Sequence, residues 1–125
     1  MLRRQGVELL VAELPGYDLH LDFSLLMIDR DVALVNPMGL PYLFMQDLKS
    51  RGVTLIEIDG GDDPIIINSL AIAPGKLLMP EGAGNRTLDQ LAARGITWTT
   101  IAYDQMLKNG GGIHCSTTPL RRDPA

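Results

Sequence analysis

A single cysteine among 125 residues excludes an intrachain disulfide, and with it the multi-cysteine kind of zinc site. Two histidines leave little else for a soft metal. A chain without disulfides suits a reducing, cytoplasmic setting. Cations are also scarce: 11 Lys and Arg against 15 Asp and Glu give a net charge of −4. A nucleic-acid partner, which needs clustered Lys and Arg, is therefore not expected. No apolar run approaches the roughly 18 residues of a membrane helix. The N-terminal apolar stretch is interrupted by Glu8 and Glu13 and does not read as a secretory signal or membrane anchor. What is present is ordinary globular composition, 46% hydrophobic and 21% charged, which argues against disorder. The length suits one small domain, residues 1–125.

The chain repeats itself. Leu2–Leu14, Leu48–Asp59 and Leu91–Ala102 each read as the end of a helix, a glycine, then an apolar run. Gly6, Gly52 and Gly95 suit left-handed caps that end helices, and β-branched Val7, Val53 and Ile96 follow as strand starters. Between them, alternation predicts strands near Leu19–Ile28 and Val32–Val35 about an Asp29–Asp31 turn. A second pair is predicted at Ile65–Ala73 and Leu77–Met79 about Pro74-Gly75. Helices are expected near Leu40–Ser50 and Asn85–Ala93, the latter capped by Asn85 or Thr87. The unit is strand, turn, strand, helix, strand, about 45 residues long, present about two and a half times. The fold class is α/β.

One segment stands apart, Asn109-Gly110-Gly111-Gly112-Ile113-His114-Cys115-Ser116-Thr117-Thr118-Pro119. Glycines let a backbone approach a ligand closely. His114 adjoins Cys115, and on a strand the two side chains would face opposite ways. His20 and Asp22, two apart, would share one strand face. A thiolate nucleophile, a histidine acid/base and a carboxylate for a cationic substrate form a coherent set, although inert packing is the commoner fate of a lone cysteine. Asp59-Gly60-Gly61-Asp62-Asp63 lacks calcium-loop spacing and reads as a solvated turn. Gly82-Ala83-Gly84-Asn85-Arg86 lacks the Lys-Ser/Thr of a phosphate loop and reads as the start of a helix. Arg121-Arg122-Asp123 reads as a carboxylate-binding group or a polar tail.

Gly110-Gly111-Gly112-Ile113-His114-Cys115-Ser116-Thr117, followed by Pro119-Leu120-Arg121-Arg122, resembles the catalytic-cysteine motif of the guanidino-group-modifying enzymes. These include arginine deiminase, glycine amidinotransferase and dimethylarginine dimethylaminohydrolase. His20-Leu21-Asp22 resembles their His-x-Asp motif, and Ser69–Gly75 resembles the stretch between the two. The resemblance implies part of a pentein-type α/β-propeller, five modules about a pseudo-fivefold axis. It implies that Cys115 attacks the guanidinium carbon to give a covalent amidino-thioether. His20 would protonate the leaving amine and then activate water or an acceptor amine. Asp22 would hold guanidinium nitrogens, and the backbone at Gly111 and Gly112 would shape the space beside the sulfur. A cationic substrate, with His20, would favour the thiolate. No metal or organic cofactor is implied.

Members of that superfamily are at least about twice this long, and their earlier modules supply further acidic residues. Phe23 also stands where a small residue is common. The expectation is a C-terminal catalytic portion, incomplete without partner modules. Those would come from a longer chain, a separate partner, or a second copy in a homo-oligomer. The expected small-molecule partner is arginine or a derivative. A non-catalytic guanidino-binding or assembly module is the alternative.

Overall fold

The computed structural model describes residues 6–14, 16 and 20–121. Of the segments read above, Leu2–Gln5, Leu19, Arg122 and Asp123 lie outside the described residues. Short apolar runs on either side of a tight turn fold back on themselves twice. β1 (Leu25–Met27) and β2 (Val32–Val35) pair antiparallel, with Leu26 opposite Leu34. α1 (Tyr42–Ser50) crosses over, and β3 (Thr54–Glu57) returns parallel to β2. The pattern then recurs. β4 (Leu70–Ala73) and β5 (Lys76–Pro80) pair antiparallel, α2 (Asn85–Ala93) crosses over, and β6 (Thr97–Ile101) lies parallel to β5. The result is a mixed α/β fold with two three-stranded sheets, ordered β1-β2-β3 and β4-β5-β6. A single turn of helix, α3 (Asp104–Leu107), leads on to the C-terminal segment.

The repeat extends to the hydrogen bonds that stop the helices. Gly52 and Gly95 both have positive φ, 86° and 71°. Each amide bonds back to the carbonyl three residues earlier, Gly52 N to Lys49 O and Gly95 N to Ala92 O. The next amide reaches five back, Val53 N to Leu48 O and Ile96 N to Leu91 O, both 3.1 Å. This paired arrangement closes a helix through a residue without a Cβ and launches the chain into a strand. Gly6 has the same sign of φ, 72°.

Three expectations need correction. The strand foreseen over Leu19–Ile28 is confined to Leu25–Met27, because Leu21–Phe23 winds into a 3-10 turn closed by Ser24 N to Leu21 O at 2.9 Å. The strand foreseen over Ile65–Ala73 starts only at Leu70. Pro64 opens a 3-10 turn over Pro64–Ile67, and the Asp63 side chain caps it by accepting from Ile65 N at 3.0 Å. A fixed proline φ plus a side-chain cap outweighs the extended preference of three isoleucines. Neither Asn85 nor Thr87 caps α2; Gly84 holds that position. Thr87 is buried in the first turn, where its hydroxyl donates to Asp62. The same carboxylate accepts from Asp59 N at 3.1 Å and from Gly84 N, so the turn read as solvated clamps the helix start.

The sheets share a core. Leu26, Ile28, Leu34, Ile56 and Ile58 of the first module join Ile66, Ile67, Leu77, Met79, Leu91 and Ile96 in one apolar cluster. Alternation on β2 sends Ala33 and Val35 the other way, into a cluster with Leu40 and with Met45 of α1. The first sheet is thus covered on both faces, and the loops that lead into β1 and β4 are brought together. No helix among the described residues is long and apolar enough to cross a membrane.

Candidate active site

Cys115 sits on a turn. Ser116 N bonds to Gly112 O and Ile113 O at 3.2 Å each, and Thr117 N to His114 O at 3.1 Å. Buried Ile113 anchors this turn to the body of the protein. In a helical turn neighbouring side chains diverge by about 100° rather than pointing to opposite faces. The opposed placement expected for His114 and Cys115 is therefore not found. Both reach one atom: Asp22 Oδ2 lies 2.9 Å from His114 Nδ1 and accepts from Cys115 Sγ at 3.4 Å.

Asp22 belongs to the 3-10 turn before β1, and His20 precedes that turn in extended backbone. Neither stands on a strand, so a shared strand face is not what aligns them. A ring nitrogen of His20, a carboxylate oxygen of Asp22 and Cys115 Sγ nevertheless lie within 4.8 Å of one another. Asp22 and Cys115 are 93 residues apart in sequence. Imidazole, carboxylate and sulfur are also donor types of a soft-metal site. The exclusion drawn from the histidine count does not extend to this cluster.

The other oxygen of the carboxylate, Asp22 Oδ1, is buried and accepts no hydrogen bond among the described residues. Buried polar atoms are nearly always paired, so this oxygen has capacity to accept a further N–H or O–H. A cleft of about 280 Å³ opens here, with Asp22 and His114 on its wall and Leu25, Met27, Leu70 and Ala71 around them. A larger groove of about 700 Å³ lies further along β1 and β4 and is lined by Asp29, Arg30, Thr117 and Arg121. It does not contain Asp22; the smaller cleft does, and neither is lined by His20 or Cys115.

Sequence reasoning missed Asn68. This residue ends the second 3-10 turn and is fully buried. Its Oδ1 accepts from Cys115 N at 3.0 Å, and its Nδ2 donates to Cys115 Sγ at 3.1 Å and to Asp22 O at 3.4 Å. Its backbone carbonyl accepts from His114 N at 3.0 Å. The available signal was a lone amide inside the apolar run Ile65–Ala73. Gly112 acquires a packing reason of its own: a Cβ there would stand 2.5 Å from Asn68 Oδ1 and 2.7 Å from Asn68 Cβ. At Gly111 a Cβ would make ordinary contact with Cys115 Cβ at 3.5 Å.

No family description and no curated protein matches the sequence. Solved structures do match its fold. An inosamine-phosphate amidinotransferase from Streptomyces griseus superposes with a TM-score of 0.70 at 22% identity, over 85% of this chain and 33% of that one. An amidinotransferase of the saxitoxin biosynthetic pathway from Microseira wollei gives 0.65 at 16%, over 86% and 34%. An arginine dihydrolase of the cyanobacterial ornithine-ammonia cycle gives 0.72 at 18%, over 90% and 18%. The chain spans about a third of the length of the two amidinotransferases and less of the dihydrolase. Over nearly all of its own length, the chain has the fold of the guanidino-group-modifying enzymes.

Proposed function

We propose that this chain is the catalytic portion of a guanidino-group-modifying enzyme with Cys115 as nucleophile. The observation that carries the reading is the convergence of Cys115, His20 and Asp22 beside a carboxylate oxygen that lacks a partner. A guanidinium is planar, permanently cationic and made only of N–H donors, which suits such an acceptor. Asp22 Oδ1 takes one N–H, and Oδ2 already holds the thiol and His114. The Cys115 thiol passes its proton to His20, and the resulting thiolate forms a bond to the guanidinium carbon. The C–N bond to the leaving amine then breaks, and His20 supplies that amine with a proton, leaving an amidino-thioether. Water or an acceptor amine, deprotonated by His20, attacks the same carbon and expels the Cys115 thiolate. Water gives a ureido product or its equivalent; an amine gives a new guanidine. Arginine and its derivatives are the substrate class.

The test is release of ureido product from arginine, methylarginines and agmatine, beside amidino transfer to amine acceptors, in the parent and in Cys115→Ser. Turnover that persists in the variant removes Cys115 from the chemistry.

The two modules are read as part of a five-module propeller, and residues 1–125 as one domain completed by a second copy or by partner modules. Val7, Leu9 and Val11 support this. They follow a left-handed glycine as β3 and β6 do, and they are exposed, Val11 by 74%. Exposed apolar runs of that kind favour association. Sedimentation tests it, and a monomer with full turnover would remove the need for a second copy. A second reading is a non-catalytic guanidino-binding or assembly module. An ordinary, unactivated Cys115 thiol would establish it.

A further inference from the structure

We propose that Asn68 is a positioning residue for Cys115, whose amide both hangs the catalytic turn on the second module and stabilises the sulfur in its anionic form. This rests on reading Cys115 as the nucleophile. Three hydrogen bonds connect two consecutive residues of the turn to this one asparagine. They are His114 N to its backbone carbonyl, Cys115 N to Oδ1, and Nδ2 to Cys115 Sγ. The two side-chain bonds use the two ends of the amide differently. Oδ1 fixes where the Cys115 backbone lies. Nδ2 is a donor aimed at sulfur at 3.1 Å, and a donor stabilises a thiolate more than it does a neutral thiol.

The surroundings make that donor consequential. The titratable groups about the sulfur are Asp22 and His20 from the first module and His114 from its own turn. Asp22 Oδ2 lies 3.4 Å from Sγ and is the acceptor of a neutral thiol. The carboxylate offers the sulfur only an acceptor, whereas Asn68 Nδ2 offers it a donor. Asn68 is also held firmly. It is fully buried, its backbone N–H donates to Ile65 O at 2.9 Å, and Gly112 packs so closely that a Cβ would collide with it. The ring of contacts leaves the amide little rotational freedom and keeps Nδ2 on the sulfur.

The experiment is alkylation of Cys115 by iodoacetamide in the full chain, followed from about pH 6 to about pH 10, with the folded state checked by circular dichroism. Asn68→Asp keeps an oxygen for Cys115 N and replaces the donor on sulfur with a second carboxylate. The half-maximal pH should rise, and the rate at neutral pH should fall about tenfold. Asn68→Ser removes both side-chain bonds and should move the profile the same way, by less. Gly112→Ala retains the asparagine and displaces it, so it should copy the shift. A purely structural role predicts the opposite: a loosened turn leaves the exposed Cys115 as reactive as before, or more so. Parental profiles in folded Asn68→Asp would overturn the proposal. If that variant does not fold, parental profiles in Asn68→Ser and Gly112→Ala would do so. Because alkylation needs no turnover, the profile decides the role of Asn68 even where the parent turns over no guanidino compound, which would count against the proposed function alone.

Discussion

The two modules have one connectivity and divide the work. In each, a 3-10 turn leads into an antiparallel hairpin, a helix crosses over, and a strand returns in parallel. The turns themselves differ. In the first, Leu21 is exposed and Asp22 and Phe23 are half-buried, with exposed His20 ahead of them. In the second, Ile66, Ile67, Asn68 and Ser69 are all buried. The first turn therefore leaves its polar side chains partly open to solvent. The second places two polar side chains, Asn68 and Ser69, in the interior, where they can only hold other parts of the protein. A repeated scaffold thus leaves equivalent positions open in one copy and buried in the other.

The largest effects should come from the exposed turn and its target. Cys115→Ser should abolish turnover of a guanidino substrate. His20→Ala should lower kcat/KM by about 10²–10⁴-fold, the usual contribution of a positioned acid/base, with little change in thermal midpoint. An unchanged kcat/KM in His20→Ala would erase the functional half of the comparison.

Next come the residues that make the modules one body. Leu34→Ala in the first sheet and Leu77→Ala in the second each remove a fully buried side chain from the shared cluster. Each should cost about 2–5 kcal/mol in chemical denaturation. In both variants near-UV and far-UV signals should be lost together, because the core is common. Two separated transitions would show that the modules fold independently.

A smaller effect is expected at the start of α2, where the modules differ again: α1 starts after Pro41 with no side-chain cap, whereas α2 is held by Asp62. Asp62→Ala would leave Gly84 N and the Thr87 hydroxyl without their acceptor. It should destabilise by about 1–2 kcal/mol, the scale of a lost cap. A variant as stable as the parent would reduce the clamp to a surface contact.

The smallest effect should be at Glu8. Its carboxylate accepts from Arg51 at 2.7 and 2.9 Å and is held below the usual carboxylate range by that hydrogen bond and by the guanidinium charge. A depressed carboxylate adds stability above its unfolded titration point and loses it as pH falls through the folded one. The pair is solvated, so Glu8→Gln should melt only slightly below the parent at neutral pH and converge on it in acid. A clear loss at neutral pH would mean that this bridge ties the 6–14 segment to α1.

The repeat was legible because its signals are local. A glycine closing a helix, a β-branched residue after it, and Pro74-Gly75 or Asp29–Asp31 between apolar runs act over a few residues, and the structure uses them in place. Where local rules misled, a short-range competitor won: Asp63 and Pro64 wound Ile65–Ile67, and the Leu21–Phe23 turn shortened β1. Scarcity made Cys115 and His20 conspicuous, and the resemblance attached roles to them.

By itself, then, the sequence determined the two-module α/β plan and the few groups able to do chemistry. Only the tertiary structure decided how those groups meet. The bonds from His114 and Cys115 to Asp22 join residues 92 and 93 apart, and those from Asn68 to Cys115 span 47. The clamp of Asp62 on Thr87 spans 25. Such pairings leave no periodicity in the chain. They form because burying the common core carries both 3-10 turns and the Cys115 turn to one place, where polar groups removed from water must find each other.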